Sequence, residues 1–157
     1  MINYIDTSVV LKWYLKDEED TEEADLLLKD ISHLSEKYII SEWVIPETIR
    51  GLVKNEWSRK EIDEAYETLM DLVRLDSIQK ISVSEVIGDL KDLQVEYKLY
   101  ASDAVHLATA LRYKANVLWT DDKHFHKTAL LTDLKKKGLR IGSIKDYANV
   151  RKKNDEK

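Results

Sequence analysis

Four acidic residues, Asp6, Glu47, Asp103 and Asp122, each lie against an apolar segment of the chain. Asp6 ends the run Met1-Ile2-Asn3-Tyr4-Ile5, and Glu47 sits between Trp43-Val44-Ile45-Pro46 and Ile49-Arg50-Gly51-Leu52. Asp103 opens Ala104-Val105-His106-Leu107-Ala108, and Asp122 follows Val117-Leu118-Trp119-Thr120. Carboxylates are rarely buried unless they are paired or hold a metal. Four of them against core-forming segments point to one shared cation site. Oxygen ligands without sulfur suit hard cations such as Mg²⁺ or Mn²⁺. Such ions activate a water and neutralise charge on a phosphodiester during in-line displacement.

Each acid also has a simpler reading. Asp6 and Asp122 could cap helices, since Asp is a favoured N-cap. Asp103 could complement a helix dipole, and Glu47 could pair with Arg50 or Lys54 on a helix surface. Spacing alone leaves both readings open.

The elements that would position these acids alternate between strand and helix. Ile2 to Ile5 reads as a buried strand, followed by Asp-Thr-Ser, a helix-start signal, and a helix through Val9, Val10, Trp13 and Tyr14. A second helix begins near Thr21 with acids in its first turn, and Tyr38-Ile39-Ile40 is a short strand ending at Ser41. A helix carries Glu47, with Pro46 uncomfortable just before it, so its start is expected near Ile45 or at a kink. Another helix runs from about Lys60 to Arg74, with Ile62, Tyr66, Leu69 and Val73 at helical spacing. Strands are expected at Ile78–Val83, Val117–Thr120 and Leu139–Ile144. Helices are expected over Ser84–Leu99, from a Ser102 cap through Asp103, and over Asp122–Lys137. This pattern predicts an α/β fold with a mainly parallel sheet of four to five strands, covered on both faces.

Ligands of open α/β sheets collect beyond the carboxyl ends of the strands. Asp6 and Asp122 directly follow strands and are expected at that edge. The helix of Asp103 precedes the fourth strand and runs antiparallel to it. Its start is therefore expected at the other edge, unless the connection from residue 97 lets it begin part-way across.

At 157 residues the chain is about one domain long, enough to bury a single core. Charged residues make up 35% and apolar residues 43%, a globular rather than a disordered balance. The absence of cysteine excludes disulfides, thiolate metal sites and cysteine nucleophiles. The first residues lack the basic and long apolar regions of a signal peptide, no uncharged stretch approaches roughly 18 residues, and a cytoplasmic protein with no membrane contact is expected. The net charge is -5, with nine acids and three bases in residues 1–30 against eleven bases and four acids in residues 123–157. That basic end is either a phosphate-contacting surface or a solvated helix and tail. Residues 1–147 are expected as a single domain and residues 148–157 as a basic, frayed tail.

Four segments together resemble the PIN domain family, and within it the VapC-type ribonuclease toxins of toxin–antitoxin pairs. MINYIDTSVV (residues 1–10) is similar to the family's opening strand, and SEWVIPETIRGL (residues 41–52) to its Ser, spacer, Glu, Gly-Leu pattern. SDAVHLATAL (residues 102–111) resembles its Asp-Ala-x-His-x-Ala-x-Ala helix, and LWTDDKHF (residues 118–125) its Thr-x-Asp-x-x-Phe block. Each block is weak alone, whereas the ordered set is specific. The resemblance implies a three-layer α/β/α PIN-like fold that gathers Asp6, Glu47, Asp103 and Asp122 in one cleft as catalytic, metal-holding residues. It implies one or two Mg²⁺ or Mn²⁺ ions, with Thr7, Ser8 and Thr120 orienting carboxylates. It further implies RNA as substrate, a cognate antitoxin and a homodimer. Asp121 beside Asp122 leaves two candidates for the fourth acid, and the Thr-x-Asp spacing favours Asp122. The alternative function is a non-catalytic RNA- or protein-binding module of the same fold.

Rival patterns carry less. Asp30-x-x-His33 and Asp103-x-x-His106 only approximate the Glu-x-x-His pairs of dimetal bundles. His124 and His126 could flank a metal on an extended loop but are more often surface or phosphate-contacting residues, and His106 is expected as a hydrogen-bonded structural residue. There is no Gly-rich phosphate cradle. The tryptophans are expected in the core or an interface, with Trp57 the best candidate for a partner contact.

Overall fold

The computed structural model describes residues 1–155. Five parallel strands, β1 (Ile2–Ile5), β2 (Lys37–Ser41), β3 (Gln79–Ile81), β4 (Val117–Trp119) and β5 (Arg140–Gly142), form one sheet in the order β3-β2-β1-β4-β5. The order switches at β1, which pairs with β2 on one side and β4 on the other. Such a switch opens a crevice at the carboxyl ends of the strands, and Asp6 follows β1 there.

Separate apolar layers cover the two faces, as a parallel sheet requires. Ile5, Val9, Val10, Leu27, Ile31, Ile40 and Trp119 share one buried cluster, and Tyr4, Ile39, Leu107, Leu118, Phe125 and Leu134 share the other. Alternation along β1 explains the division. Tyr4 and Ile5 point to opposite faces, and both are fully buried.

Helices α1 (Thr7–Lys12), α2 (Thr21–Ser32), α3 (Val44–Lys54), α4 (Arg59–Arg74), α5 (Leu90–Tyr97), α6 (Ala101–Arg112), α7 (Thr128–Lys136) and α8 (Ile144–Asp155) complete the chain. Helix α3 starts at Val44, one residue from the expected start near Ile45. Pro46 falls in the first helical turn, where an N–H would lack an intrahelical acceptor in any case. Gly51 allows α3 to lie close to α1, because a Cβ there would come within 2.6 Å of Leu11 Cδ2. That approach sets Thr7 beside Glu47.

Several expected boundaries change. The stretch expected as one helix from Ser84 begins with two 3-10 turns, Val83–Glu85 and Ile87–Asp89, and only then becomes α5, which Lys98 ends in a left-handed conformation. Ser102 is not the cap of α6; the N-cap position is Tyr100. The helix expected from Asp122 divides into a 3-10 turn, Lys123–Phe125, and α7. The segment expected as a frayed tail continues α8 to Asp155. Arg151 holds it there by donating from Nε to Asp30 Oδ2 over 2.7 Å.

The edge expected for Asp103 is also corrected. A helix that feeds a parallel strand from the opposite direction starts beside that strand's carboxyl end and finishes beside its beginning. Helix α6 therefore begins at the same edge that carries Asp6 and Asp122, and His124 Nδ1 lies 3.4 Å from Asp103 Oδ2.

Candidate metal centre

Asp6 takes the capping role and more. It caps α1 by accepting from the Ser8 N–H over 3.3 Å. The same oxygen, Oδ2, accepts from Ser8 Oγ at 2.7 Å and Thr120 Oγ1 at 2.8 Å. Those hydroxyls in turn accept the amide N–H groups of Asp121 and Asp122, each over 3.0 Å. The side chains that order Asp6 thus also fix the loop after β4. The other oxygen, Oδ1, lies 3.4 Å from His106 Nε2.

Glu47 does not take the surface pairing with Arg50 or Lys54 that its spacing allows. Its Oε1 accepts from Thr7 Oγ1 at 2.8 Å and from His106 Nε2 at 2.5 Å. His106 therefore stands between the carboxylates of β1 and α3. Burial opposes its imidazolium, but the charges of Asp6, Glu47 and Asp103 outweigh that effect and raise its pKa.

Asp103 and Asp122 meet at the other end of the cleft. The ligand atoms of Asp103, Asp122 and His124 all lie within 4.8 Å of one another, the one such group among the described residues. Burial raises the Asp103 pKa, and the negative charges of Asp122 and Asp6 add to the shift against His124 and His106. The site thus gathers more negative charge than its own histidines offset. Asp122 also caps the 3-10 turn by accepting from the His124 N–H over 2.9 Å. That tight turn brings the imidazole back to the carboxylates. Read as the start of a regular helix, the same segment hides this return, which the sequence allowed only for an extended loop.

Asp121 occupies a different environment. Its Oδ1 accepts from the Ile144 N–H over 2.9 Å, at the start of α8, and its Oδ2 lies 3.6 Å from Lys12 Nζ. Lys12 is buried and also donates to the Glu19 carbonyl over 2.7 Å. Asp121 thus joins α1 to α8, while the adjacent Asp122 faces Asp103.

The donor set fits a hard divalent cation: several carboxylate oxygens, partly ordered by hydroxyls, with an uncompensated negative charge. A PIN domain family model matches residues 4–131. The chain belongs to the PIN domain family. A comparison with the curated proteins finds no match. Among solved structures, this PIN domain is similar to a toxin–antitoxin complex from Klebsiella pneumoniae, with 24% identity, 80% of this chain and 92% of that chain covered, and a TM-score of 0.56. VapBC-1 from nontypeable Haemophilus influenzae is similar at 18% identity, with 92% and 99% coverage and a TM-score of 0.59. Mycobacterium tuberculosis VapC20, described as a sarcin–ricin loop cleaving toxin, is similar at 16% identity, with 79% and 92% coverage and a TM-score of 0.58. The fold is that of VapC-like PIN domains. No helix among the described residues is long and apolar enough to cross a membrane.

Proposed function

We propose that this PIN domain is a divalent-metal-dependent endoribonuclease, the toxin of a toxin–antitoxin pair. The observation that carries the reading is the convergence of Asp6, Glu47, Asp103 and Asp122 on one sheet edge, with the Asp103 carboxyl raised by burial and by its acidic neighbours. A negative cluster in a folded site needs a cation to offset it. These four acids would hold Mg²⁺ or Mn²⁺, with His124 beside Asp103 and Asp122 as a further donor.

A bound divalent cation supplies Lewis-acid activation of water and offsets charge on the phosphodiester. The protein's own part is positional. Ser8 and Thr120 fix Asp6, and Thr7 and His106 fix Glu47. Preset donors of this kind reduce the reorganisation needed when substrate binds. The toxin role draws support from the similar structures, among them a toxin–antitoxin complex and a sarcin–ricin loop cleaving toxin. A cognate antitoxin, a homodimer and a cytoplasmic location belong to the same proposal.

The test is cleavage of RNA by purified protein with Mg²⁺, with Mn²⁺ and with EDTA, beside a folded Asp103→Asn variant. Cleavage that requires metal and is lost in the variant supports the reading. Undiminished cleavage in EDTA, or by the variant, would sink it. A wild-type protein that takes up no Mn²⁺ at millimolar concentration in calorimetry would favour a non-catalytic binding module.

A further inference from the structure

We propose that Ser41, Tyr4 and His106 form a buried positioning relay that sets the Glu47 carboxylate for a divalent cation. The inference rests on the metal-site reading above but concerns residues behind the acids. Tyr4 is fully buried on β1 beneath α6, and His106 is 2% exposed. The Ser41 N–H at the end of β2 donates to the Tyr4 hydroxyl oxygen over 3.1 Å. The hydroxyl lies 2.7 Å from His106 Nδ1, and His106 Nε2 lies 2.5 Å from Glu47 Oε1.

The hydrogen-bond partners assign the protons. Glu47 offers a carboxylate, which only accepts, so Nε2 carries a proton. Nδ1 accepts from the Tyr4 hydroxyl when the ring is neutral and donates to its oxygen when the ring is protonated, so the contact holds in either state. The Tyr4 oxygen accepts from the Ser41 N–H in both. Each link from the Ser41 N–H through Tyr4 and His106 to Glu47 Oε1 is thus a hydrogen bond.

This geometry explains two features that the acidic quartet leaves unused. Ser41 serves both ends of the connection from β2 to α3. Its amide holds Tyr4, while its Oγ accepts from the Trp43 N–H over 3.1 Å at the entrance to α3. Strand β2, strand β1 and helix α6 are thus tied to the helix that bears Glu47. The two donors to Glu47, Thr7 and His106, both take Oε1. Among the described residues no hydrogen bond is made to Oε2, which leaves that oxygen for a cation. A hydrophobic contact would fill the same core volume as Tyr4 and His106 but would not fix the plane of a carboxylate.

The relay is tested by titrating Mn²⁺ into the full-length protein and its variants by calorimetry, with thermal unfolding of each as a folding control. Tyr4→Phe keeps the ring and removes the hydroxyl. His106→Gln keeps an N–H donor, and His106→Met keeps volume without one. Affinity is expected to fall on the order of tenfold in Tyr4→Phe and His106→Met. His106→Gln should stay within about threefold of wild type, a tighter bound than that same tenfold outer-shell effect. In a Glu47→Gln background, Tyr4→Phe should have no further effect on Mn²⁺ affinity, because its influence passes through the Glu47 carboxylate. Wild-type affinity in both Tyr4→Phe and His106→Met overturns the relay while leaving the metal site intact. So does an undiminished effect of Tyr4→Phe in the Glu47→Gln background. Failure of the wild type itself to bind Mn²⁺ overturns the metal-site reading together with the relay.

Discussion

Asp30 and Asp103 are 5% and 6% exposed, almost equally buried, yet they are shifted in opposite directions. Asp30 lies on α2 against α8. Burial works against its carboxylate, but Arg151, Tyr147 and His33 prevail and hold its pKa below the usual 3.8. Tyr147 donates to Oδ2 over 2.5 Å, while Arg151 donates to Oδ2 at 2.7 Å and to Oδ1 at 3.1 Å. Asp103 has Asp122 and Asp6 as neighbours, and its pKa rises. A buried carboxylate surrounded by donors is a structural tie. One set beside other carboxylates carries a repulsion that a cation would relieve.

The largest effect expected from this contrast is on activity. Asp103→Asn should lower RNA cleavage on the order of a hundredfold or more, since ligand loss removes several kcal/mol of charge stabilisation. The same change should raise the unfolding temperature of the metal-free protein, because it relieves repulsion with Asp122 and Asp6. A lower unfolding temperature for Asp103→Asn without metal would break the comparison.

Asp30→Asn should do the reverse. It removes charge-assisted bonds from Arg151 and Tyr147 and should cost about 2 kcal/mol in chemical denaturation. Cleavage per folded molecule should stay as in wild type. Loss of activity at unchanged stability would place Asp30 in the wrong class.

Asp121→Asn sharpens the distinction between neighbours. Asp121 ties Lys12 to the start of α8, so the change should cost about 1 kcal/mol. Mn²⁺ affinity measured by calorimetry should remain near wild type, whereas Asp122→Asn should weaken it. Equal losses of affinity would mean that both carboxylates serve the cation.

The smallest effect expected is in the acid limb of stability. The folded pKa of Asp30 is depressed, so its contribution is present above its unfolded value near 3.8 and lost as pH falls through the folded value. Wild type and Asp30→Asn should therefore differ in thermal midpoint near neutral pH and converge as pH falls through the lowered folded value. A difference that persists unchanged to the acid limit would show that Asp30 acts through packing rather than charge.

Much of the fold was legible because local signals agreed. Ile2–Ile5 followed by Asp-Thr-Ser reads as strand then helix, and α4 shows the helical period. The errors fell where tertiary contacts compete with local pattern. The stretches after Ser84 and after Asp122 carry helical spacing but open in 3-10 turns. The residues after Asp146 have the composition of a loose tail, yet Arg151 finds Asp30 more than a hundred residues away in sequence and holds α8 down. Trp57 is half-buried and packs edge-on against Tyr14 at 6.3 Å between ring centroids.

By itself the sequence determined that four acids border apolar segments, that sulfur chemistry is excluded, and that strands and helices alternate. These properties follow from residue type and short-range spacing, and the ordered blocks pointed to the PIN domain family. Only the tertiary structure decided which acids face one another. The direction of α6 brings Asp103 to the edge of Asp6 and Asp122, and a single tight turn returns His124 to them while Asp121 points to Lys12. The physical reason is range. A strand or helix start is fixed by neighbours in sequence, whereas the charge around a carboxylate is fixed by residues that only the packed sheet brings within a few ångströms.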